Sequence, residues 1–315
     1  MKSATLVCIL FFLAQFSSAQ KLTQYFDWNW KSTDASNARY YSVIEQKDGL
    51  WRRKDYFAST GRLQMDGAYT DTSYKTPQGE FHYYHANGIL QAVGNYEKGS
   101  REGLWLSYHY NGMMSDSAFH VKGNPVGNRK MWYPNGYLMD SVVWQTDGSG
   151  VMVSWFDNGV PAAAGRFVNF QHDGKWRYFH RNGETSSVEI YDHGKLVSRQ
   201  YYTETGAAIK DTSCTDKEAS FPGGPKAWMK YLSKSVYFPS QWKFDTPGQA
   251  VVTVDWYIDE EGNITDPFVS IPLHPEFDKI ALNAFHKAPK WIPARSHGRN
   301  VKSFHRQPIT FSQEE

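Results

Sequence analysis

A mixed fold is what the sequence predicts: a long all-β meander of stacked hairpins followed by a small α+β domain. Three observations predict it. Asn-Gly pairs recur at 87–88, 111–112, 135–136, 158–159 and 182–183, at steps of 24, 24, 23 and 24 residues, each after a bulky pair, as in YYHANG, YHYNG, WYPNG, WFDNG and YFHRNG. Aromatic residues make up 16% of the 315-residue chain, including 12 Trp and 20 Tyr, which favours pleated surfaces over helices. After Gly206 both signals stop, and apolar residues reappear at helical spacing.

The chain opens MKSATLVCILFFLAQFSSAQ. Lys2 is the charged start, Ala4 to Phe16 the apolar stretch, and Ser17-Ser18-Ala19 the small residues a signal peptidase needs, so residues 1–19 read as a leader with Gln20 first in the mature chain. The alternative is a membrane anchor, but thirteen apolar residues fall short of the roughly 20 that span a bilayer. Export follows, with no integral membrane span expected. Of the two cysteines, Cys8 leaves with the leader, so Cys214 has no internal partner. Residues 20–44 form a lead-in without the repeat signal.

Between about residues 45 and 206 seven units fit, the outer two ending at Gly61 and Gly206. Asn-Gly between strand-forming residues predicts a two-residue type I′ hairpin, whose central positions both need positive φ. About ten residues later comes a second turn cluster: EKGSREG, VKGNPVG, QTDGSG, NFQHDG and YDHG. Strands alternating with two kinds of turn make a meander. Adjacent aromatics such as Trp132 and Tyr133 must point to opposite faces, so ladders of rings are expected on both sides, packing more than gripping a ligand. The rhythm of GKWRYFHRNGETSSVEIYDHG (174–194) resembles the bacterial MORN repeat. That resemblance implies a β scaffold for protein or lipid contact, and no catalysis.

Residues 207–220 are polar and without aromatics, and read as a linker. Beyond it, Trp228, Met229, Leu232 and Val236 recur at helical spacing and stop at Pro239. GQAVVTVDWYIDEEGNITDPFVSI reads as a hairpin turning at Glu261-Gly262-Asn263, with Val252, Val254, Trp256 and Ile258 on one side. A second helix presents Phe277, Ile280, Ala281, Ala284 and Phe285, and a last strand is expected from Val301 to Phe311. A self-contained apolar core predicts that these residues fold independently of the repeats.

Residues 221–312 resemble the C-terminal domain of the TonB energy transducers. The marks are FPGG (221–224), the Phe238-Pro239 step, GQAVVTVDWYIDEEGNI, PEFDKIAL, WIPA (291–294) and the closing PITF. What the resemblance implies is a periplasmic module that pairs a short segment of an outer-membrane TonB-dependent transporter, or another envelope protein, to its last strand. The peptide-binding residues it implies here are Phe238, Pro239, Val301, Lys302, Ser303, Phe304, His305 and Arg306. Typical members carry an uncleaved anchor and a Pro-rich spacer where this chain has a leader and a β rod. The implied role is therefore a binding adaptor, with a structural envelope protein whose rod contacts lipid, cell wall or protein as the alternative.

Chemistry is conspicuous by its absence from the pattern. No H-E-x-x-H, C-x-x-C, G-x-S-x-G or P-loop occurs, so neither a catalytic set, a metal site nor a cofactor is expected. His82 and His85, at i and i+3 on a strand, face opposite ways. The acids at Asp259 to Glu261 sit at a hairpin tip and are expected in solvent. With 34 Lys and Arg against 32 Asp and Glu, nucleic acid is not an expected partner. One local exception is basic: Lys287, Lys290, Arg295, Arg299, Lys302 and Arg306 surround the last strand with no acid between Lys279 and Gln313, a surface suited to an acidic peptide or to the anionic cell wall.

Overall fold

The computed structural model describes residues 21–243 and 250–312, so the expected leader lies outside the described residues. Sixteen antiparallel strands, β1 to β16, follow one another in sequence order in a single sheet, from β1 (Leu22–Phe26) and β2 (Tyr40–Lys47) to β15 (Lys195–Tyr202) and β16 (Ala208–Ile209). This is the meander the repeat predicts, about 70 Å from edge to edge at ~4.8 Å per strand. It also starts earlier than the repeat does. β1 and most of β2 lie within the lead-in, where no Asn-Gly pair marks them, and Tyr40, Tyr41, Tyr56 and Phe57 continue the ring ladders through them.

The two kinds of turn are the reverse of expectation. Gly88, Gly112, Gly136, Gly159 and Gly183 have positive φ, but the asparagines before them do not, so these are not type I′ turns. Gly88 N–H donates to His85 O at 2.8 Å and His85 N–H to Ile89 O at 2.8 Å, the signature of a three-residue loop with a left-handed glycine. Type I′ turns sit on the opposite edge, at Asp48-Gly49, Lys98-Gly99, Lys122-Gly123 and His193-Gly194, where both residues have positive φ.

The asparagines have a different task. Oδ1 of Asn87, Asn111, Asn135, Asn158 and Asn182 accepts the N–H two residues on, which closes the turn. Nδ2 of four of them donates to a carbonyl of the next unit: Tyr110, Pro134, Asp157 and Glu204. Two residues earlier, His85, His109, Tyr133 and His180 reach the next unit's carbonyl in the same way. The bulky residue and the Asn of each repeat are thus rungs joining one hairpin to the next.

A third ladder runs along the inner face. The indoles of Trp105 and Trp176 lie flat over Gly94 and Gly165, so close that a Cβ there would come within 2.2 and 2.1 Å of the rings. Their Nε1 atoms donate to Asn95 O and Arg166 O. Both rings are buried.

The C-terminal unit has helix α1 (Gly224–Ser235) and a three-stranded sheet in the order β18 (Ile264–Ile271), β17 (Val251–Ile258), β21 (Ser303–Thr310), with helix α2 (Pro275–His286) between β18 and a hairpin of β19 (Ala294–Ser296) and β20 (Arg299–Val301). The expected face of α2 is buried in full, against Val252, Val254, Trp256 and Ile258. Of the face expected on α1, Trp228 and Leu232 are buried but Met229 is exposed. The linker is not free along its length. Lys217 and Ser220 form bridges with Arg295 and Ile292, tying its end into the domain.

The domain does not stand clear of the rod. Every residue of β17 but Tyr257 is buried, because the second face of its sheet lies on the rod. Ile271 packs on Tyr40 and Phe57, Phe268 stacks on Tyr110 with centroids 4.4 Å apart, and His297 stacks on Tyr178 at 3.5 Å. The contacts run from β2 to β15, so the domain lies lengthwise along the array.

One buried cluster pins the far end. Glu189, with no exposed surface, accepts hydrogen bonds from Ser187, Tyr191, Arg199 and the Nδ1 of His297. Burial opposes its charge, but the bonds from His297 and Tyr191 outweigh that and hold its carboxyl at about 2. Nearby Arg181 bridges Asp157 and Glu260 at 2.8 and 3.1 Å, so Glu260 is buried against the rod instead of solvated.

Candidate functional site

β21 has one neighbour. It pairs with β17 from Ser303↔Ile258 to Thr310↔Val251, and among the described residues no strand pairs with its outer edge. Phe311 N–H donates to Ala250 O at 2.8 Å, which sets the parity of the ladder. Odd residues bond inward. Phe304, Arg306 and Thr310 therefore aim their N–H groups outward, and Pro308 occupies the one outward position that has none, where a proline costs no ladder bond. The outward carbonyl of Pro308 accepts from its neighbour Gln307 Nε2 at 2.9 Å.

Beside the C-terminal half of this edge runs a groove of about 980 Å³, lined among others by Met229, Tyr237, Phe238, Trp242, Pro308 and Thr310. Its far wall is built by the segment after α1. Phe238 packs edge-on against Phe277 at 5.4 Å, and Pro239 is buried. Trp242 Nε1 donates to Glu276 Oε2 at 2.9 Å, in the first turn of α2, and Gln241 bonds the same carboxylate. Anchored on both sides, the segment leaves Tyr237 two-thirds exposed, at 66%. The groove thus combines unpaired main-chain donors, an apolar floor and a phenol at the rim.

The expected site residues do not all belong to it. Phe238 and Pro239 shape the wall. Val301 lies in β20, paired with Ala294, so the strand expected from 301 to 311 is broken at Lys302 and only Ser303 onward forms the edge. Ser303 Oγ bonds His305 Nε2, whose ring stacks on Trp256, and burial pulls the His305 pKa down. Phe304 is half-exposed on the face toward the rod. Met229, Tyr237, Trp242 and Thr310 were not expected in the site. A Tyr just before the Phe-Pro step is the signal that was available for Tyr237, whereas Met229 reads as part of the helical stripe.

The basic surface is largely spoken for as well. Arg306 makes a two-pronged pair with Asp255 at 2.7 and 2.8 Å, which raises its pKa. Lys302 lies 3.8 Å from Asp266 and over the rings of Tyr133 and Tyr257. Arg299 is drawn under the rod between Phe156 and Tyr178, and burial lowers its pKa to about 10. An acidic partner would find less free positive charge here than the sequence implies.

Among the described residues no helix is long and apolar enough to cross a membrane. Asp173, Asp192 and His193 come close together on the type I′ edge, but Asp192 and His193 are exposed and the partly buried Asp173 is already paired with Arg166.

Residues 247–312 match the family described as Gram-negative bacterial TonB protein C-terminal, which covers β17 to β21 and both the open edge and α2. The TonB C-terminal domain is typical of Gram-negative envelope proteins. No curated protein matches the chain. Among solved structures, the crystal structure of a GtfA/B complex bound to UDP and GlcNAc aligns at 12% identity over 46% of this chain and 26% of that chain. Its TM-score of 0.17 gives that likeness no weight.

Proposed function

We propose that the chain is a non-catalytic binding adaptor of the Gram-negative envelope, exported to the periplasm, whose C-terminal domain takes an extended protein segment as a fourth strand on β21. The observation that supports this most is an unpaired strand edge, within the residues that match the TonB C-terminal family, beside an apolar groove whose other wall is built by residues 229–243, ahead of that match. Main-chain bonds from Thr310 and Arg306 would supply affinity, and the pocket of Met229, Tyr237 and Phe238 would select alternate side chains. A transporter of the outer membrane is the partner the family favours. The MORN-type rod would act as a rigid support, since the domain lies along it over most of its length.

Thr310→Pro tests this directly. It deletes an outward N–H and spares the ladder to β17, so a peptide copied from the periplasmic end of an outer-membrane transporter should bind at least about tenfold more weakly with thermal unfolding unchanged. Backbone amide signals of residues 303–312 should shift on adding that peptide to the unaltered protein. Signals that stay in place, or equal affinity for Thr310→Pro, would sink the reading. Because Arg306 and Lys302 already have partners, raising salt should change the binding rate little.

A second reading has one observation in its favour. Leu104 pairs with Phe119 and Val143 with Val151 on the outer face of the rod, and all four are exposed. Such a row would suit a rod that contacts lipid, cell wall or protein by itself. Retention of the rod on envelope fractions after Phe119→Lys and Val151→Lys would argue against it.

A further inference from the structure

The cleft between rod and domain holds a feature that the grip on β21 does not use. A cavity of about 570 Å³ is bounded on the rod side by Met131, Met139, Met152 and Asp140, and on the domain side by Phe304 and Arg299. Its walls are mostly thioether and ring. One polar group among them lacks what it needs: Asp140 is 9% exposed, and its Oδ1 is enclosed without a hydrogen-bond donor. A buried carboxylate oxygen is ordinarily satisfied, because desolvation without a bond costs a few kcal/mol.

Internal comparison of the repeats shows that this residue is special to the cavity. The register of the sheet puts Ala92, Asp116, Asp140, Ala163 and Ser187 in one row across the inner face. Three units hold a small residue there and two hold aspartate, and both aspartates line the cavity. Packing alone is met by Met65, Ala or Ser in the other units. Between the two carboxylates stands one guanidinium, Arg129, and it commits Nε and Nη2 to Asp116 at 2.9 and 2.7 Å. On the rod side Asp140 is therefore left without a cation of its own, while the domain side of the same cavity carries Glu260, Arg299 and Lys302. On the opposite wall, Nε and Nη1 of Arg299 also lack a partner and could take an acceptor.

We infer that this cleft binds a small apolar molecule bearing a primary amine, its ammonium donating to Asp140 and its body lying among Met131, Met139 and Met152. An ammonium supplies the missing donor and a counter-charge placed directly at Asp140, and thioethers adapt to an irregular apolar body. Burial raises the pKa of Asp140 in the empty cleft, and a bound cation would favour its ionised form again.

The probe is dansylcadaverine, a fluorescent apolar amine, titrated into the full chain alongside dansyl pentylamide, which has the same five-carbon body and no amine. Dansylcadaverine should bind saturably and about tenfold more tightly than the amine-free dye, the scale of one hydrogen bond to a charged group. Asp140→Leu should erase that preference, and Met139→Trp, which fills the cavity, should weaken both dyes. Equal affinity of the two dyes for the unaltered protein overturns the inference, as does a preference that survives Asp140→Leu. Should Asp140→Leu fail to unfold cooperatively, Asp140→Asn keeps the shape and must still shrink the preference; an unchanged preference there overturns it equally.

Discussion

The rod and the C-terminal domain solve the same problem, holding strands together, in opposite ways. Each rod strand pairs only with its neighbours in sequence, and repeated side-chain-to-carbonyl rungs add a second link from one hairpin to the next. The domain pairs β17 with the distant β21 and closes over rings brought together from four segments: Trp228, Trp256, Phe285 and Trp291. Stability in the first is a sum of local terms, and in the second it is shared by the whole core. The comparison teaches that equal-looking substitutions should differ in reach more than in kind.

The largest expected effect is in the domain. Trp256→Ala removes a ring that touches Trp228, Phe285, Trp291 and His305, and truncations of buried Trp cost about 3–5 kcal/mol. Urea unfolding followed at the domain should lose most of its stability. The inverse experiment, Trp105→Ala, costs a similar amount but should be felt chiefly by adjoining hairpins, as hydrogen exchange would show. Uniform loss of protection along the rod after Trp105→Ala would mean that the array is one cooperative unit.

Next in size is the junction, where the two modes of construction meet. Glu189 has a folded pKa of about 2, below the usual carboxylate value, so its contribution is complete above about pH 4.5 and is lost as pH falls toward 2. Asp278 behaves oppositely. Burial pushes it up to about 6, so the folded state binds its proton first and this group's contribution improves as pH falls from 6 to about 4. In Glu189→Gln the loss of stability below pH 4.5 should flatten, and in Asp278→Asn the gain between pH 6 and 4 should vanish. Thermal unfolding across that range checks both, and identical pH profiles for all three proteins would refute the assignment.

How much of this was legible in the sequence depends on whether the signal is local. The Asn-Gly period exposed the meander, its order and nearly its length, because a hairpin tip is specified by two or three adjacent residues. The turn type was misread since both loops need a glycine at positive φ, and only the residue before it tells them apart. Lys98 and Lys122 adopt left-handed backbone without the side chain that usually announces it. In the domain, α2 and the β17–β18 hairpin were readable from apolar spacing, whereas the break at Lys302 follows from contacts with Tyr133 and Asp266 that no local pattern encodes. Docking on the rod was invisible for the same reason. Of the expected site, the edge strand and the Phe238-Pro239 wall were legible, and the free charge was not, because Asp255 lies 51 residues from Arg306.

The smallest expected effect sharpens the claim that the rod is a sum of rungs. Asn87, Asn111, Asn135 and Asn182 each place Nδ2 on the next unit's carbonyl, and Asn158 alone of the five makes no such bond among the described residues. In the unit it would reach, Arg181 is drawn aside to Asp157 and Glu260. Asn135→Ala removes a turn-closing bond and a rung, while Asn158→Ala removes the turn bond only. With each neutral hydrogen bond worth about 0.5–1.5 kcal/mol, the two variants should differ by roughly 1 kcal/mol, Asn135→Ala being the less stable. Both keep their glycine at positive φ, so turn geometry cancels in the difference. Equal midpoints in urea would show that the rungs add nothing, and that strand pairing with the buried rings of Trp105 and Trp176 holds the array by itself.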